Sequence, residues 1–309
     1  MRKEEFTIDS RDGIHKLYSV KYVPEGQPRA IVQIVHGMAE HIGRYEGFAK
    51  FLTEQGFLVT GEDHLGHGQS VPDGDTYGYF CSMDPATVVV RDVHRLKKTI
   101  QGQYPGVPYI ILGHSMGSYI LRNYLFRYGT GIQGAIIMGT GMEKPVEVGF
   151  VRCLSKCIEM IYGEKHLSPT LDKLVGGKYN AKITNPRTES DWLTKDEEIV
   201  NHYRIDPLCG FPFTVNGYRC LFELVNRLFK ADNLSKLPAD LPVLMVSGTE
   251  DPVGAYGVGV KKAYESITGA GMKKVELKLY EGDRHEILNE LDRAKVYEDI
   301  AAWLGSVIG

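Results

Sequence analysis

The residues Gly113-His114-Ser115-Met116-Gly117 form a GxSxG motif, with a glycine two positions away on each side of the serine. A short apolar run at 109–112 precedes the motif, and a segment of helical periodicity follows it. This order predicts a sharp strand-to-helix turn with Ser115 at its tip, where glycines keep neighbouring side chains from colliding. We therefore predict that Ser115 is a nucleophile; the alternative is an ordinary glycine-rich turn.

A serine hydroxyl is a weak nucleophile near neutral pH, so it needs a base and an acid that orients the base. On the fold that carries such a turn, the chain order is Ser, then Asp or Glu, then His. Asp251 follows an apolar run typical of a buried strand, and His285 follows the next one. Because His285 is the only histidine after His202, we predict it as the general base and Asp251 as its acid. Glu250, next to Asp251, is the alternative acid.

Acyl transfer also needs two hydrogen-bond donors for the negatively charged oxygen of the tetrahedral intermediate. The backbone N–H of Met116, the residue after the nucleophile, is the first candidate. The second is the N–H of Met38, because His36-Gly37-Met38 follows the apolar run at 30–35 and Gly37 allows the backbone to turn closely.

The elements that must position these residues alternate between strand and helix. Nearly continuous apolar runs indicate strands buried on both faces of a parallel sheet, and helical periodicity separates them. This alternation predicts a doubly wound α/β fold. Residues 5–9 and 16–22, around Asp12-Gly13, predict an edge hairpin. The predicted strands are 30–35, 57–60, 109–112, 134–138, 243–246 and 275–280, and the predicted helices are 44–55, 86–103, 116–128, 257–268 and 294–307.

Residues 142–236 interrupt the alternation and show helical patterns without clear strands. We predict a core of residues 1–141 and 237–309 with a helical cap formed by the insertion at 142–236. Helical spacing there predicts one apolar stripe, which packs in a core, lines an acyl pocket or touches a lipid surface. Its members are Phe150, Leu154, Cys157, Ile158 and Ile161.

The composition argues against several function classes. The formal net charge is −3, and the 36 Lys and Arg form no block that would neutralise nucleic-acid phosphates. No apolar stretch approaches the length of a membrane span, and the N-terminus lacks a signal-peptide pattern, so we expect a cytoplasmic protein. Five dispersed cysteines do not make a disulfide scaffold; Cys153 and Cys157, four residues apart, are expected to pack together as small apolar side chains.

Asp63, His64 and His67 could suggest a metal site, but Gly66 and Gly68 interrupt them, and we expect a structural loop. No histidine stands in a spacing such as HExxH. We therefore predict no metal site.

Six segments in this order resemble the monoacylglycerol lipase and bacterial lysophospholipase group of α/β-hydrolases, a serine aminopeptidase-type group. They are HGMAEHIGRYEGFAKFL (36–52), EDHLGHGQS (62–70), GHSMGS (113–118), DWLTKDEEIVNHYRIDPLCGFPFT (191–214), SGTEDPVG (247–254) and RHEILNE (284–290). The resemblance implies a mostly parallel eight-stranded sheet flanked by helices, with a helical cap over the serine. It also implies a cofactor-free lipase or esterase for single-chain acylglycerols or lysolipids, with Ser115, Asp251 and His285 as triad and Met38 and Met116 as oxyanion donors.

The chain departs from this group at two positions. Position 118 is Ser where Gly is commoner. In monoacylglycerol lipases a Glu and an Arg after the HG sequence hold the glycerol hydroxyls together with a second histidine that follows the catalytic one. Glu40 and Arg44 match the first two, but Leu288 stands in place of that histidine. Glu40 and Arg44 are therefore either substrate contacts or a structural ion pair.

Related folds with the same triad cleave other bonds, so a general or phenolic-ester esterase, a thioesterase and an aminopeptidase remain alternatives. An aminopeptidase needs carboxylates for the substrate's amino group, and the insertion offers Glu189, Asp191, Asp196, Glu197 and Glu198. A binding protein without activity is disfavoured because no triad residue is lost. The expected partner is a small lipid or ester substrate, not nucleic acid, with transient contact between the cap and a membrane surface; the sequence leaves the oligomeric state open.

Overall fold

Eight strands form one sheet in the order β1-β2-β4-β3-β5-β6-β7-β8, in a computed structural model that describes residues 1–309. Strands β1 and β2 form an antiparallel hairpin at one edge, β2 pairs antiparallel with β4, and all other neighbours are parallel. The strands are β1 (Arg2–Asp9), β2 (Lys16–Val23), β3 (Ala30–Val35), β4 (Phe57–Glu62), β5 (Tyr109–His114), β6 (Gly134–Met138), β7 (Val243–Gly248) and β8 (Val275–Tyr280).

Helices cover both faces of the sheet. Residues of α1 and α10 pack on one face, and those of α2, α3 and α9 pack on the other. Because both faces are covered, every residue of β3 to β7 is buried, which is why these strands read as continuous apolar runs. The helices are α1 (Glu46–Glu54), α2 (Pro85–Gln103), α3 (Met116–Tyr128), α4 (Pro145–Tyr162), α5 (Pro169–Gly176), α6 (Glu197–Ile205), α7 (Val215–Arg227), α8 (Ala231–Leu234), α9 (Val258–Gly269) and α10 (Arg293–Ile308).

The predicted fold class is confirmed, and the differences lie at the ends of elements. Strands β4, β5 and β7 each extend two residues beyond their predicted ends, to Glu62, His114 and Gly248. The apolar pattern stops earlier, but backbone pairing with the neighbouring strands continues. The helix predicted for 44–55 is a 3₁₀ turn at Ile42–Tyr45 followed by α1.

Residues 142–236 contribute helices α4 to α8 between β6 and β7. The apolar stripe predicted on α4 does not act as one surface. Leu154 and Ile158 pack against the hydrophobic core, whereas Phe150, Cys157 and Ile161 are exposed. Cys153 is exposed too, so the expected packing of Cys153 with Cys157 is wrong.

Candidate active site

The nucleophile turn explains the glycines of the GxSxG motif. Ser115 joins β5 to α3 with φ 53° and ψ −121°, a conformation rarely adopted by residues other than glycine. A side chain at Gly113 would overlap the carbonyl of Gly117, and one at Gly117 would overlap the carbonyl of Val35. The hydroxyl of Ser118, the residue that departs from the family pattern, donates to the Ser115 carbonyl at 2.6 Å, so a serine fits at the start of α3.

The loops after β7 and β8 bring Asp251 and His285 together. Nδ1 of His285 lies 2.9 Å from Oδ1 of Asp251, and both residues are buried. Ser247 donates its hydroxyl to Oδ2 of Asp251 at 3.0 Å, and the N–H of Val253 donates to Oδ1 at 2.9 Å. Burial raises the pKa of Asp251, but the charge and hydrogen bond of His285 outweigh it, so that pKa lies below its ordinary value. Asp251 is thus held as a carboxylate and fixes the orientation of the imidazole.

Glu250, the alternative acid, points away from this pair. Its carboxylate is half exposed and lies 3.4 Å from Nζ of Lys195 in the insertion. The loops that carry Asp251 and His285 can approach closely because residue 248 is a glycine: a side chain at Gly248 would overlap the Asp283 carbonyl. Of the two candidate acids, only Asp251 forms a hydrogen bond with the ring of His285.

The loop of residues 36–41, here called the HG loop, lies against the nucleophile. A Cβ at Gly37 would lie 3.0 Å from Cβ of Ser115. The N–H of Met38 donates no hydrogen bond within the chain, and Met116 stands at the first position of α3, where an N–H has no partner inside the helix. Both predicted oxyanion donors are therefore free beside Ser115.

The second nitrogen of His285, Nε2, is buried and has no hydrogen-bond partner. The ring packs against Trp192 of the insertion and against His114, with centroid distances of 5.0 Å and 4.8 Å. Ser115 and His285 line the same cavity. Nε2 therefore makes no hydrogen bond to the Ser115 hydroxyl in this structure, and it is free to accept a proton from a group in the cavity.

Glu40 and Arg44 lie in a buried ionic network. Arg44 donates to Oε2 of Glu40 at 2.8 Å and binds both carboxylate oxygens of Glu286, at 2.6 and 2.7 Å. Oε1 of Glu40 accepts the N–H of Gly37 at 2.5 Å and the hydroxyl of Tyr45 at 2.8 Å. Burial raises the pKa of Glu40, but the hydrogen bond with His114 and the charge of Arg44 bring it well below its ordinary value. Glu40 thereby fixes the HG loop.

Sequence reasoning missed Glu286, although it lies inside the RHEILNE segment, because its partner is distant in the chain. Burial raises its pKa, but the charge of Arg44 outweighs this and lowers it. Glu286, Glu40 and Arg44 all line the cavity. Leu288, by contrast, is buried in the core under α10.

The cavity above Ser115 has a volume of about 980 Å³. Much of its wall is apolar and comes from the insertion, including Val148, Val151, Leu221, Phe222 and Val225. The α4 residues that line it are thus not those of the predicted stripe. A polar pair also faces the cavity: the Tyr119 hydroxyl donates to Oε1 of Glu143 at 2.7 Å, while Oε2 of Glu143 is buried without a partner.

His67 and Asp63, in the loop after β4, support the HG loop and the turn that follows it. Nε2 of His67 accepts the N–H of Ala39 at 3.3 Å, and its Nδ1 bonds the Leu65 carbonyl at 2.9 Å. Asp63 accepts the N–H groups of Ile42 and Gln69, both at 2.8 Å. These atoms are occupied by bonds inside the chain, which gives the loop a structural role.

The strained serine turn on this sheet defines a class of protein, the serine ester hydrolases with the α/β-hydrolase fold. The particular family follows from the sequence: residues 26–292 match the family described as "Serine aminopeptidase, S33", and the chain belongs to it.

Named relatives of this chain are enzymes of the same class. The chain is 30% identical to the monoglyceride lipase of Homo sapiens over 93% of this chain and 86% of that protein. It is 27% identical to the monoacylglycerol lipase of Mycolicibacterium smegmatis over 98% of both chains. Among solved structures, a thermostable carboxyl esterase from Bacillus coagulans in complex with glycerol superposes with a TM-score of 0.93 at 31% identity, covering both chains fully. Ester hydrolysis is the activity that these relatives share.

Proposed function

We propose that the protein hydrolyses monoacyl lipid esters, either monoacylglycerols or lysophospholipids, through an acyl-enzyme on Ser115. The observation that carries this proposal is the large cavity with an apolar wall directly above Ser115, which suits a single acyl chain. The ionic network of Glu40, Arg44 and Glu286 lines the same cavity and offers a polar site for the head group. Similarity to a monoglyceride lipase and to a glycerol-bound esterase supports a glycerol ester.

In the first half-reaction, Oγ of Ser115 attacks the ester carbonyl carbon while Nε2 of His285 takes the hydroxyl proton. Asp251 accepts the hydrogen bond from Nδ1 and stabilises the imidazolium that forms. The carbonyl oxygen becomes an oxyanion that binds the N–H groups of Met38 and Met116. The C–O bond then breaks, and Nε2 of His285 returns the proton to the departing alcohol.

In the second half-reaction, a water molecule takes the place of the alcohol. His285 removes its proton as it attacks the acyl-enzyme carbonyl, and the same two N–H groups stabilise the second oxyanion. Collapse breaks the bond to Ser115, which recovers its proton from His285 and releases the fatty acid.

The insertion is proposed to act as a cap that admits the acyl chain from a membrane or micelle surface. On α4, Val146, Phe150 and Met160 are each more than 60% exposed. Such a face with no partner inside the chain suits shallow contact with a lipid surface. No helix of the structure is long and apolar enough to cross a bilayer.

Glu143 favours a second candidate function, cleavage of substrates with a free amino group. Its Oε2 is buried without a partner in a wall of the cavity, where a substrate ammonium could bind it. Among the five carboxylates considered in the sequence, only Glu189 also lines the cavity. Asp191 accepts bonds from Arg187 and Thr188, and Asp196 caps α6.

Side-by-side release of free fatty acid from 1-monooleoylglycerol and the matching lysophosphatidylcholine tests the proposal, with Ser115→Ala as the blank. Turnover of either lipid by the wild type alone supports it, and the preferred lipid identifies the head group. Turnover of short soluble esters without either lipid would contradict it and indicate a general esterase. Faster cleavage of amino-acyl p-nitroanilides than of both lipids would favour the aminopeptidase candidate, and Glu143→Gln should then abolish that preference.

A further inference from the structure

Three side chains with metal-binding atoms meet where the HG loop touches the insertion. His41 ends the HG loop, and Asp206 and Cys209 follow α6 in the insertion. Their ligand atoms all lie within 4.8 Å of one another, and Nε2 of His41 is 3.0 Å from Oδ2 of Asp206. All three residues are half-buried, so they remain accessible to a small ion.

Bonds that involve none of the three ligand atoms hold this cluster in place. The carbonyl of Ala39 accepts the N–H of Gly210 at 2.9 Å and the hydroxyl of Tyr203 at 3.2 Å, which joins the two segments on both sides of the cluster. Oδ1 of Asp206 accepts the N–H of Leu208 at 2.9 Å, so Oδ2 is left to face His41. The arrangement is thus built before any ion arrives, which lowers the ordering cost of binding.

The donor set favours Zn²⁺ over the hard cations. An imidazole nitrogen, a carboxylate oxygen and a thiolate sulfur are the three ligand types that Zn²⁺ combines, and three protein ligands leave a fourth tetrahedral position for water. Hard ions such as Mg²⁺ and Ca²⁺ prefer oxygen ligands alone. The nearby cation of Arg44 is balanced by the carboxylates of Glu40 and Glu286, so it leaves no uncompensated positive charge beside the cluster.

We propose that His41, Asp206 and Cys209 form a Zn²⁺ site that bridges the HG loop and the insertion. Binding releases the thiol proton of Cys209 and forms bonds from the ion to nitrogen, oxygen and sulfur. The occupied site restrains the insertion relative to the HG loop. The restraint acts at His41, two residues from Ala39 and next to the ionic network of the active site. On the proposed role of the insertion as a cap, Zn²⁺ should slow hydrolysis of a long-chain ester more than that of a short soluble ester, and equal effects on the two esters would contradict this regulatory role.

The binding test uses the full chain with Co²⁺ as the spectroscopic probe. We expect one equivalent of Co²⁺ to produce a thiolate-to-cobalt charge-transfer band that Zn²⁺ then bleaches. Cys209→Ser should lose the band, and Asp206→Asn should weaken Co²⁺ binding at least about tenfold. Cys157→Ser, which removes an exposed free thiol on α4, is the matched control and should keep the band. No band in the wild type, or a band that survives Cys209→Ser, would overturn the site.

Thermal unfolding gives a second readout that does not depend on the substrate. Zn²⁺ should raise the Tm of the wild type in a concentration-dependent way, because the three ligands come together only in the folded state. The same ion should leave the Tm of Cys209→Ser unchanged while this variant still hydrolyses a short ester. An equal rise of Tm in both proteins would place the ion elsewhere and overturn the proposal.

Discussion

The indole of Trp192 packs against the imidazole of His285 at a centroid distance of 5.0 Å. The backbone carbonyl of Trp192 accepts the backbone N–H of His285 at 3.4 Å. The next residue, Leu193, accepts the N–H of Glu286 at 2.7 Å. The insertion thus contacts the backbone and the ring of the base directly. A displacement of the insertion would therefore change the surroundings of His285.

Trp192→Ala should lower kcat/KM for a long-chain ester about tenfold, which corresponds to about 1.4 kcal/mol of transition-state stabilisation. The physical reason is that solvent would reach a base that the indole now shields. Steady-state kinetics measures the effect, and Trp192→Phe, which keeps an aromatic ring, should retain most of the activity. Unchanged kcat/KM in the alanine variant would show that the indole does not support His285.

Ser115→Ala should lower kcat by about 10⁴–10⁶-fold, by analogy with triad deletions in an unrelated protease. The variant should keep its fold, because the backbone hydrogen bonds of the turn, from Ser115 N–H to the Met138 carbonyl and from Ser118 N–H to the Ser115 carbonyl, do not involve the hydroxyl. A fluorophosphonate should label the wild type and leave the variant unlabelled. If the variant kept more than about a tenth of wild-type turnover, Ser115 would not be the nucleophile.

Asp251→Asn should lower kcat by about 10⁴-fold, because an amide no longer fixes the tautomer of His285 that can accept the serine proton. Glu250→Gln is the matched control at the neighbouring position. Its carboxylate binds Lys195 at the surface, so its kcat should stay close to that of the wild type. A larger loss of kcat in Glu250→Gln than in Asp251→Asn would identify Glu250, not Asp251, as the acid that orients His285.

Glu62 should make the protein less stable as the pH rises. Burial and the charge of Asp92 raise the pKa of Glu62 from 4.5 to about 8, and Oε1 has no hydrogen-bond partner. Between these pKa values the folded state keeps a proton that the unfolded state has lost. The free energy of unfolding therefore falls by up to about 1.4 kcal/mol per pH unit in this range and levels off above it.

Glu62→Gln removes this contribution. We expect the Tm of the variant relative to wild type to increase from about pH 5 to about pH 8, as measured by differential scanning calorimetry. Glu281→Gln, at an exposed carboxylate, should show no such trend. A constant difference in Tm between Glu62→Gln and the wild type would mean that Glu62 stays ionised in the folded protein.

The sequence by itself determined the local features of this protein. Continuous apolar runs identified the parallel strands, because strands covered on both faces need no polar residues. The GxSxG pattern pointed to Ser115, since its glycines stand at fixed positions within five residues of chain. The order of strands then pointed to Asp251 and His285, because their loops follow adjacent parallel strands of one sheet.

Only the tertiary structure decided which distant residues meet. Arg44 and Glu286 pair across 242 positions, and His41 and Asp206 across 165, so no spacing rule could reveal either contact. The same holds for α4, where Val148 and Val151 line the cavity while Phe150 and Ile161 are exposed. Helical periodicity places side chains on one face of a helix, but the packing of the insertion on the core decides which face is covered.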